Sequence, residues 1–512
     1  MTSPRRIAFR LIVALLSVTL LSTVFVDSLA AVELQRSQGV IAADKPWRMS
    51  WYSVDSGENG PTVLVVGGVH GNEPAGYRAA EQIRHWSIAR GKLIVVPQVN
   101  RLGLLADMRW LPAHRNDRKL KDPNRNFPTQ SEKDPRSEHC SDLWEFVTDL
   151  RPDWVFDLHE GFDFHHANSK SVGSSVITFP AADTKSVATL MVDTINRTIE
   201  DKEKVFDLLA KSGPVNGSLA RACHEQLNAR SFIVETTYKD QPLSKRTRQH
   251  RVMMSAAFLD IGLIVEPQHD QLVGSDDEII RVAMYDATGT GSSKNNVAKL
   301  IDNSSGMEVA FVGPEEMRKE VLNQFNVVLF PGGSGSKQGR AIGEDGRAAV
   351  KGFIRRGGGI VGICAGAYLC SSHYDWSLHV INTSVYNETI DIPDVGRKSM
   401  WYRGGPAEIK VEFTAGSKDI VAVDGTHVIR YQNGPIISRG KNEQLDDYKV
   451  LAHFRSENAK YQPQVGTMVD TPAIAASNFG AGRVVSISPH FESTKGMEQI
   501  VARLIKFSYR EE

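Results

Sequence analysis

A histidine and a glutamate stand three residues apart directly after a short apolar run. The run is Val63-Leu-Val-Val-Gly-Gly-Val, and His70-Gly-Asn-Glu73 follows it. Such a run is typical of a strand buried on both faces of a parallel sheet, and ligands gather beyond the carboxyl ends of such strands. At this spacing on a tight turn, both side chains can face one point, which indicates a metal site. An exposed loop His and Glu would give the same pattern.

Two later apolar runs also end in side chains that can do chemistry. Trp154-Val-Phe-Asp-Leu158 leads into His159, and Ser231-Phe-Ile-Val-Glu235 ends at a carboxylate. The carboxyl ends of parallel strands meet at one edge of a sheet, so we expect these side chains to lie close together. Chance supplies one such strand ending easily, but three together are much less frequent.

The residue types predict a hydrolytic zinc centre. His70, Glu73 and His159 would make a two-histidine, one-glutamate site with the fourth position open to water. Zinc lowers the pKa of such a water and polarises a carbonyl oxygen. Hydrolysis also needs a base that takes a proton and passes it to the leaving nitrogen, and a glutamate near the metal suits that task. Glu235 is the candidate.

A carboxylate-binding motif lies between the predicted ligands, in Asp122-Pro-Asn-Arg-Asn-Phe-Pro128. A guanidinium is a planar fork that matches a carboxylate through two hydrogen bonds, which Lys does not imitate. We expect Arg125, with Asn124 beside it, to hold a substrate carboxylate near the zinc. A solvated loop arginine is the alternative.

This ordered set of motifs resembles the zinc carboxypeptidase superfamily and, within it, the succinylglutamate desuccinylase/aspartoacylase branch. The resemblance covers roughly residues 45–265 and implies an α/β sandwich around a mixed sheet. It implies zinc on His70, Glu73 and His159, with Glu235 as general base and acid. It also implies carboxylate binding by Asn124 and Arg125. Family members often use another arginine to polarise the scissile carbonyl, and Arg109 is our choice, with Arg115 close behind.

The segment after the third ligand departs from the desuccinylase pattern. His159-Glu-Gly-Phe-Asp-Phe-His-His166 is similar to bacterial envelope carboxypeptidases of the same superfamily, which trim peptidoglycan peptides. His165 and His166 follow the strand in a polar loop, so we do not expect them to be ligands. Asp157 shares a strand face with His159 and has either an orienting or a structural role. Four further histidines of this half are predicted to lie at the surface: His114, His139, His224 and His250.

A second α/β series begins near Ile279 and contains a cysteine elbow. Gly359-Ile-Val-Gly-Ile-Cys-Ala-Gly-Ala is a strand, a cysteine flanked by glycines, and the start of a helix. Close backbone contact at such an elbow demands small neighbours. Near the end of the chain a strand leads to His490-Phe-Glu492. We expect a triad of Cys364 as nucleophile, His490 as base and Glu492 as the orienting group.

The second series resembles the class I glutamine amidotransferase-like fold, and most closely the domain of that fold at the N-terminus of certain biotin-protein ligases. The resemblance rests on Pro331-Gly-Gly and on the elbow, and it covers roughly residues 279–508. It is specific for fold and less so for activity. An inert, core-packed Cys364 therefore stays open beside a catalytic or ligand-contacting thiol. We expect Cys370 to be a core residue.

Composition and the N-terminus limit the cellular setting. The chain has 512 residues, four scattered cysteines and a formal net charge of zero. These values exclude a disulfide framework and favour no nucleic-acid partner. Three arginines precede an apolar run at residues 11–26, and small residues follow at Ser28-Leu-Ala30. This layout predicts a bacterial signal peptide cleaved near Ala30 and an exported protein, periplasmic or secreted, that touches the membrane only through its export signal.

The predicted organisation is an α/β chain of two domains. A signal peptide at 1–30 precedes a zinc-carboxypeptidase-like domain at 45–265, a polar linker at 266–278 and a flavodoxin-like, amidotransferase-like domain at 279–508. We expect an exported metallocarboxypeptidase that cleaves an amide bond next to a carboxylate, with cell-wall peptides as one candidate substrate. The alternatives are an N-acyl-amino-acid deacylase and a non-catalytic envelope binding protein. The partner is a small peptide or acylated amino acid with a free carboxylate. The oligomeric state is open.

Overall fold

The computed structural model of the protein describes residues 34–274 and 278–509. The predicted signal peptide lies outside these residues. No helix in the described ranges combines the length and apolarity that crossing a membrane requires. The described chain forms two large sheets, each flanked by helices.

The first sheet has eight strands. They are β1 (Gln35–Ile41), β2 (Met49–Asp55), β3 (Thr62–Gly67), β4 (Lys92–Val96), β5 (Trp154–Gly161), β6 (Ser175–Thr178), β7 (Asp207–Leu209) and β8 (Arg230–Thr237). The order is β1-β2-β4-β3-β5-β8-β6-β7. The four central strands β4, β3, β5 and β8 run parallel, whereas β2 and β6 pair antiparallel on either side. The predicted mixed sheet is confirmed.

The central strands are buried on both faces because helices cover both. Val63 and Val65 of β3 belong to one apolar cluster, and Leu64 and Val66 belong to another on the opposite face. This explains the continuous apolar run in the sequence, since successive strand side chains point to opposite faces. The helices are α1 (Pro74–Ile83), α2 (Arg101–Ala106), α3 (Glu138–Leu150), α4 (Ala182–Asn196), α5 (Leu219–Leu227) and α6 (Leu243–Asp260).

The second sheet has nine strands, of which five form a parallel block. These are β9 (Ile280–Tyr285), β10 (Met307–Val312), β11 (Val327–Phe330), β12 (Gly359–Ile363) and β21 (Gly482–Ile487). Their order β10-β9-β11-β12-β21 is that of a flavodoxin-like sheet, as the sequence predicts. Four antiparallel strands extend the sheet in the order β20 (Pro472–Phe479), β19 (Lys449–Phe454), β16 (Ala407–Phe413) and β17 (Thr426–Tyr431).

The remaining elements surround this second sheet. Two small two-stranded sheets pair β13 (Thr383–Val385) with β18 (Ile437–Arg439) and β14 (Thr389–Ile392) with β15 (Gly396–Ser399). The helices are α7 (Lys294–Asp302), α8 (Pro314–Arg318), α9 (Gly335–Arg355), α10 (Ala365–Cys370), α11 (Lys418–Val421) and α12 (Gln499–Tyr509).

The segment between the two sheets packs against its surroundings. Leu272 and Val273 are buried in an apolar cluster of the second sheet, and the Gln271 carbonyl accepts a hydrogen bond from Trp86 Nε1 at 2.9 Å. Polar composition at 266–278 therefore coexists with buried contacts to both sheets. The domain boundaries at 265 and 279 stay a prediction.

Candidate functional site

Parallel pairing brings the predicted metal ligands and base to one edge of the first sheet. His70 and Glu73 lie in the turn between β3 and α1, whose first residue is Pro74, a position where a missing N–H costs nothing. His159 lies on β5 directly opposite Glu235 on β8. Both strands continue two residues beyond these side chains, so His159 and Glu235 are held by ladder pairing and not by a loop.

The three predicted ligands converge on one point. One donor atom from each of His70, Glu73 and His159 lies within 4.8 Å of the others, and all three side chains are buried. Glu73 bridges the histidines: Oε1 lies 2.9 Å from His70 Nδ1, and Oε2 lies 2.8 Å from His159 Nδ1. The two Nδ1 atoms are themselves 3.2 Å apart.

The outer ring nitrogens are fixed by carboxylates. His70 Nε2 lies 2.9 Å from Asp122 Oδ1, and His159 Nε2 lies 2.9 Å from Asp157 Oδ2. A carboxylate on one ring nitrogen sets the tautomer so that the other nitrogen presents its lone pair to a metal. Two such nitrogens and one carboxylate are a donor set that zinc prefers, so the residues fit the metal that the sequence predicts.

Charge coupling at the site is strong. Burial alone would raise the pKa of Glu73, but the His70 and His159 imidazoles outweigh it and hold the pKa well below its usual value. Burial alone would lower the pKa of His159, but Asp157 and Glu73 raise it. The His70 imidazole overcomes the burial of Asp122 and lowers its pKa to about 2. The cluster thus pairs carboxylates with imidazoles whose protons a divalent cation would displace.

Glu235 differs from the other carboxylates of the site. It is buried, and among the described residues no group hydrogen-bonds its Oε2. Burial raises its pKa to about 8, and the negative charges of Glu73 and Asp157 add to this effect against the opposing His159 and Arg109. A carboxylate that is hard to ionise and lies beside a metal site is suited to accept a proton and to release it again.

The predicted substrate-binding side chains border the metal ligands. Arg109 Nη1 donates to Glu73 Oε1 at 2.5 Å. Asn124 is buried, with Nδ2 3.3 Å from His159 Nε2 and Oδ1 accepting from Leu219 N–H at 3.1 Å. Arg125 donates to the Asn124 carbonyl at 2.7 Å and is half-buried, so its guanidinium lies next to the site.

The structure adds two side chains that the sequence analysis did not single out, Glu160 and Arg246. Glu160, the residue after His159, accepts from Ala75 N–H at 2.7 Å through Oε2 and from Arg246 Nη1 through Oε1. Ala75 lies in the first turn of α1, directly after the Glu73 ligand. The carboxylate of Glu160 therefore ties together the two segments that carry the ligands. A glutamate beside a predicted ligand was the only signal for it in the sequence.

The surface prediction for four histidines is wrong for two of them. His139 and His250 are buried because α3 and α6 turn these positions toward the sheet, whereas His114 and His224 are half-buried. His250 Nε2 lies 3.2 Å from Thr236 Oγ1, and burial lowers its pKa to about 3. His165 contacts the Ser171 carbonyl at 2.6 Å and His166 contacts Asp207 at 3.2 Å.

The second sheet assembles the predicted cysteine cluster at the carboxyl end of β12. Cys364 has a φ of 51°, a conformation that is strained for a residue with a side chain. A Cβ on Gly366 would lie 2.1 Å from the Phe330 carbonyl oxygen, which explains the small neighbour. Cys364 Sγ donates to the Gln432 carbonyl at 3.5 Å, His490 lies beside Cys364, and His490 Nδ1 lies 2.6 Å from Glu492 Oε1.

The electrostatics of this cluster act on His490. Burial alone would lower the pKa of His490, but the neighbouring Cys364 and Glu492 outweigh it and raise the pKa to about 10. Elsewhere in the chain, burial raises the pKa of Cys140 and of Cys370 to about 12 and raises that of Cys223. Cys370 is fully buried in the core.

Comparison with protein families assigns both halves of the chain. Residues 59–194 match the model of the succinylglutamate desuccinylase/aspartoacylase catalytic domain. Residues 280–504 match the model of the biotin-protein ligase N-terminal domain. The first match includes the three candidate ligands and the Asn124-Arg125 pair but ends before Glu235. The second includes the whole cysteine cluster. No curated protein matches the chain.

Several solved structures resemble part of this chain. The tripeptide-bound cell shape determinant Csd4 from Helicobacter pylori is 18% identical over 47% of this chain and 59% of its own, with a TM-score of 0.35. Its mDAP-bound form, described as a D,L-carboxypeptidase, is 20% identical over 40% and 51%, with a TM-score of 0.34. An aspartoacylase family protein from Mesorhizobium loti is 23% identical over 45% and 68%, with a TM-score of 0.32.

Each half of the chain thus contains a segment similar to a known domain: the desuccinylase/aspartoacylase catalytic domain in the first half and the biotin-protein ligase N-terminal domain in the second. The chain spans little more than half the length of Csd4, 51% and 59% in the two complexes. The match to solved structures is therefore a likeness of part of the fold.

Proposed function

We propose that the first domain is an exported zinc metallocarboxypeptidase that removes a C-terminal residue from a small peptide. One observation carries the proposal: two imidazole Nδ1 atoms and the Glu73 carboxylate converge, with Glu235 in register with His159 on the next strand. That arrangement supplies a metal site and a separate base, the two requirements for metal-assisted hydrolysis of an amide.

The residues divide the chemistry between binding and proton transfer. Zinc held by His70, Glu73 and His159 would supply a polarising positive charge and a more acidic water. Glu235 takes the proton of the attacking water and passes it to the leaving nitrogen. Its raised pKa of about 8 makes the Glu235 carboxylate a stronger base for the first transfer than an ordinary carboxylate would be.

The loop that carries Asn124 and Arg125 orients the substrate. The Arg125 fork binds the terminal carboxylate, and the buried Asn124 amide, fixed by Leu219 N–H, donates a further hydrogen bond. Arg109, which is about one-third exposed, contacts Glu73 and lies close enough to the metal site to bind the scissile carbonyl oxygen. A free carboxylate next to the cleaved amide is therefore the expected mark of the substrate.

A second candidate function uses the same residues. The family match is to enzymes that remove an acyl group from an amino acid, whose carboxylate would bind to Arg125 in the same way. The two functions differ in which side of the amide carries the extended group. Csd4 is described as a D,L-carboxypeptidase with tripeptide-bound and mDAP-bound forms, and these ligands define the first compounds to test.

Product analysis separates these functions. Zinc-loaded protein would be incubated with N-acyl amino acids, simple peptides, muropeptides and mDAP-containing tripeptides, and the products would be identified by mass spectrometry. Release of a C-terminal amino acid by the wild type alone supports the carboxypeptidase, and release of an acyl acid supports the deacylase. Protein that binds no zinc in near-stoichiometric amount would refute both and leave a binding protein.

Export is a separate part of the proposal. It rests on the N-terminal pattern of arginines, apolar run and small residues, all of which lie outside the described residues. N-terminal sequencing of protein recovered from the periplasm or the medium should begin near Ala31. A chain that stays in the cytoplasm with an intact N-terminus would refute export without affecting the hydrolase.

A further inference from the structure

A cavity of about 600 Å³ opens above Cys364 and His490 in the second domain. Its walls are unusually rich in aromatic rings, contributed by α10, by the segment after it and by the segment after β15: Tyr368, Tyr374, Trp376, Trp401 and Tyr402. Serine hydroxyls and the amides of Asn387, Gln432 and Asn433 complete the lining. This is a built pocket that leads to a thiol, and the metal site makes no use of it.

No Asp, Glu, Lys or Arg lines this cavity within the described chain. The one ionisable cation, His490, is already matched by Cys364 and Glu492. A free amino acid such as glutamine carries an ammonium and a carboxylate, and both would be taken out of water without a counter-charge. The pocket therefore suits an uncharged ligand.

The hydroxyls of Tyr368 and Tyr374 are engaged, so these two side chains offer mainly ring surface to a ligand. Tyr374 and Trp376 stack at 4.5 Å with 12° between their planes, and Tyr374 Oη accepts from Asn387 Nδ2 at 2.9 Å. Tyr368 Oη donates to the Asn433 carbonyl at 3.1 Å. The side of the pocket open to solvent carries Trp401, which is 42% exposed. Such surfaces favour a flat ring with an apolar face.

We propose that this pocket is a second reaction site, which binds an uncharged ester or amide with an aromatic or sugar ring and transfers its acyl group to Cys364. Two observations support it together: the Cys364-His490-Glu492 cluster at a strained elbow, and the charge-free aromatic walls above it. The proposal is independent of the metal-site function.

The reaction balances without any further reagent except water. The Cys364 thiol gives its proton to His490, and Sγ forms a bond to the carbonyl carbon. The bond from that carbon to the leaving oxygen or nitrogen breaks, and the proton on His490 passes to the leaving group, which restores the neutral imidazole. Water then attacks the thioester, His490 accepts its proton and returns it to the sulfur, and a carboxylic acid leaves. Glu492 holds the imidazole through Nδ1.

The test uses 4-nitrophenyl acetate, a neutral aryl ester, with the full mature chain in the presence of a metal chelator. Nitrophenolate release would be followed by absorbance, and acid-quenched samples would be digested and analysed by mass spectrometry. We expect one acetyl group on the Cys364 peptide and turnover that the isosteric Cys364→Ser substitution abolishes. Cys370→Ala, at a buried core thiol, should leave both signals within about twofold.

Two further arms define the ligand. Trp401→Ala should raise KM about tenfold with little change in kcat, because a ring–ring contact is worth about 1.4 kcal/mol. Tyr509→Ala, at an exposed ring on α12, is the control and should leave KM unchanged. An acetylated methyl glucoside replaces the aryl group by a sugar ring, and the lower KM of the two esters identifies the preferred ring.

Clear results would overturn the proposal. Wild-type protein that shows neither acetyl-Cys364 nor Cys364-dependent nitrophenolate release excludes the reaction, provided that the wild type and Cys364→Ser have the same melting temperature. Ammonia release from free L-glutamine would exclude an uncharged substrate class. Equal KM values for wild type and Trp401→Ala would exclude the aromatic walls as the ring site.

Discussion

Two glutamates of the first site have similar surroundings but different bonding. Glu73 is bonded by both histidines and by Arg109, whereas Glu235 has a buried oxygen that no described group hydrogen-bonds. Full bonding suits a ligand, and an unbonded oxygen in a buried site suits proton transfer. The division of roles between the two carboxylates thus follows from their partners.

Replacing the base should remove turnover and leave the metal in place. Glu235→Gln keeps the size of the side chain and removes its capacity to accept a proton, so we expect kcat to fall by roughly 10²–10⁴-fold. Zinc content, measured by elemental analysis, should match that of the wild type. Glu203→Gln, at an exposed position, is the matched control. A variant with kcat within a few-fold of the wild type would show that another group is the base.

Replacing the guanidinium should affect substrate affinity in a way that depends on the substrate carboxylate. Arg125→Lys keeps the charge and loses the fork, so we expect KM to rise about 10–100-fold. The comparison substrate is the same peptide with a C-terminal carboxamide. On that substrate wild type and variant should have similar KM values. If the KM of the variant rises as much for the carboxamide as for the acid, Arg125 contacts another part of the substrate.

At the scale of elements, ladder pairing brings the site together, and one carboxylate joins the ladder to a helix. Glu160 on β5 accepts from the N-terminal turn of α1 and from Arg246 on α6, and both charged groups are buried. Helix α1 begins directly after the Glu73 ligand, and α6 follows the strand that carries Glu235. The Glu160–Arg246 pair therefore links the elements that bear the ligands to those that bear the base.

Breaking this pair should destabilise the protein. Glu160→Gln leaves the buried Arg246 guanidinium without its counter-charge, so we expect the free energy of unfolding to fall by about 3–5 kcal/mol. Urea denaturation of the metal-free protein measures it. The double variant Glu160→Gln/Arg246→Met removes both charges and should recover most of the loss. Equal stability of the single and double variants would contradict a buried ion pair.

The sequence predicts the central elements and much less of their edges. Continuous apolar runs identify β3, β4, β5 and β8, because strands covered on both faces carry almost no polar side chain. The edge strands β1 and β7 are mostly exposed or half-exposed, and their sequences lack that pattern. His250 was misplaced for a related reason: α6 is buried on nearly all sides, so helical periodicity does not mark its inner face.

The predicted site depended on residue types, and its outer contacts depended on the fold. His70, Glu73 and His159 could be chosen because few side chains bind zinc and each followed a strand. The Glu160–Arg246 contact spans 86 residues, so no local pattern could reveal it. Asp122 was visible in the sequence, but only folding shows that it faces His70 Nε2.

At the scale of the molecule, the two sheets share a charged and apolar junction. Arg78 makes two hydrogen bonds to Asp302, and the buried Arg251 pairs with Glu316 at 2.9 Å. Ala75 of α1 and Leu243 of α6 pack into an apolar cluster of the second sheet. The helices that follow Glu73 and Glu235 are therefore the same ones that contact the second domain.

The junction should also make stability depend on pH through His85. Burial lowers the pKa of His85 to about 3, and the positive charges of Arg84, Arg36 and Arg281 add to this effect. In the folded protein His85 stays neutral at pH values below ~6.5, at which the same side chain is protonated in the unfolded chain. The stabilisation is thus complete above that pH and is lost progressively as the pH falls toward 3.

His85→Gln removes this titration and keeps a polar side chain at the junction. We expect the free energy of unfolding of the variant to fall less steeply between pH 6 and pH 4, by up to about 1.4 kcal/mol per pH unit relative to the wild type. Denaturant titrations at half-unit pH intervals measure both slopes. Between pH 7.5 and 8.5 the two states of His85 are both neutral, so the difference between variant and wild type should be constant there. If the free energy of unfolding falls equally steeply with pH in the variant and the wild type, His85 is protonated in the folded protein as readily as in the unfolded chain, which would contradict the prediction.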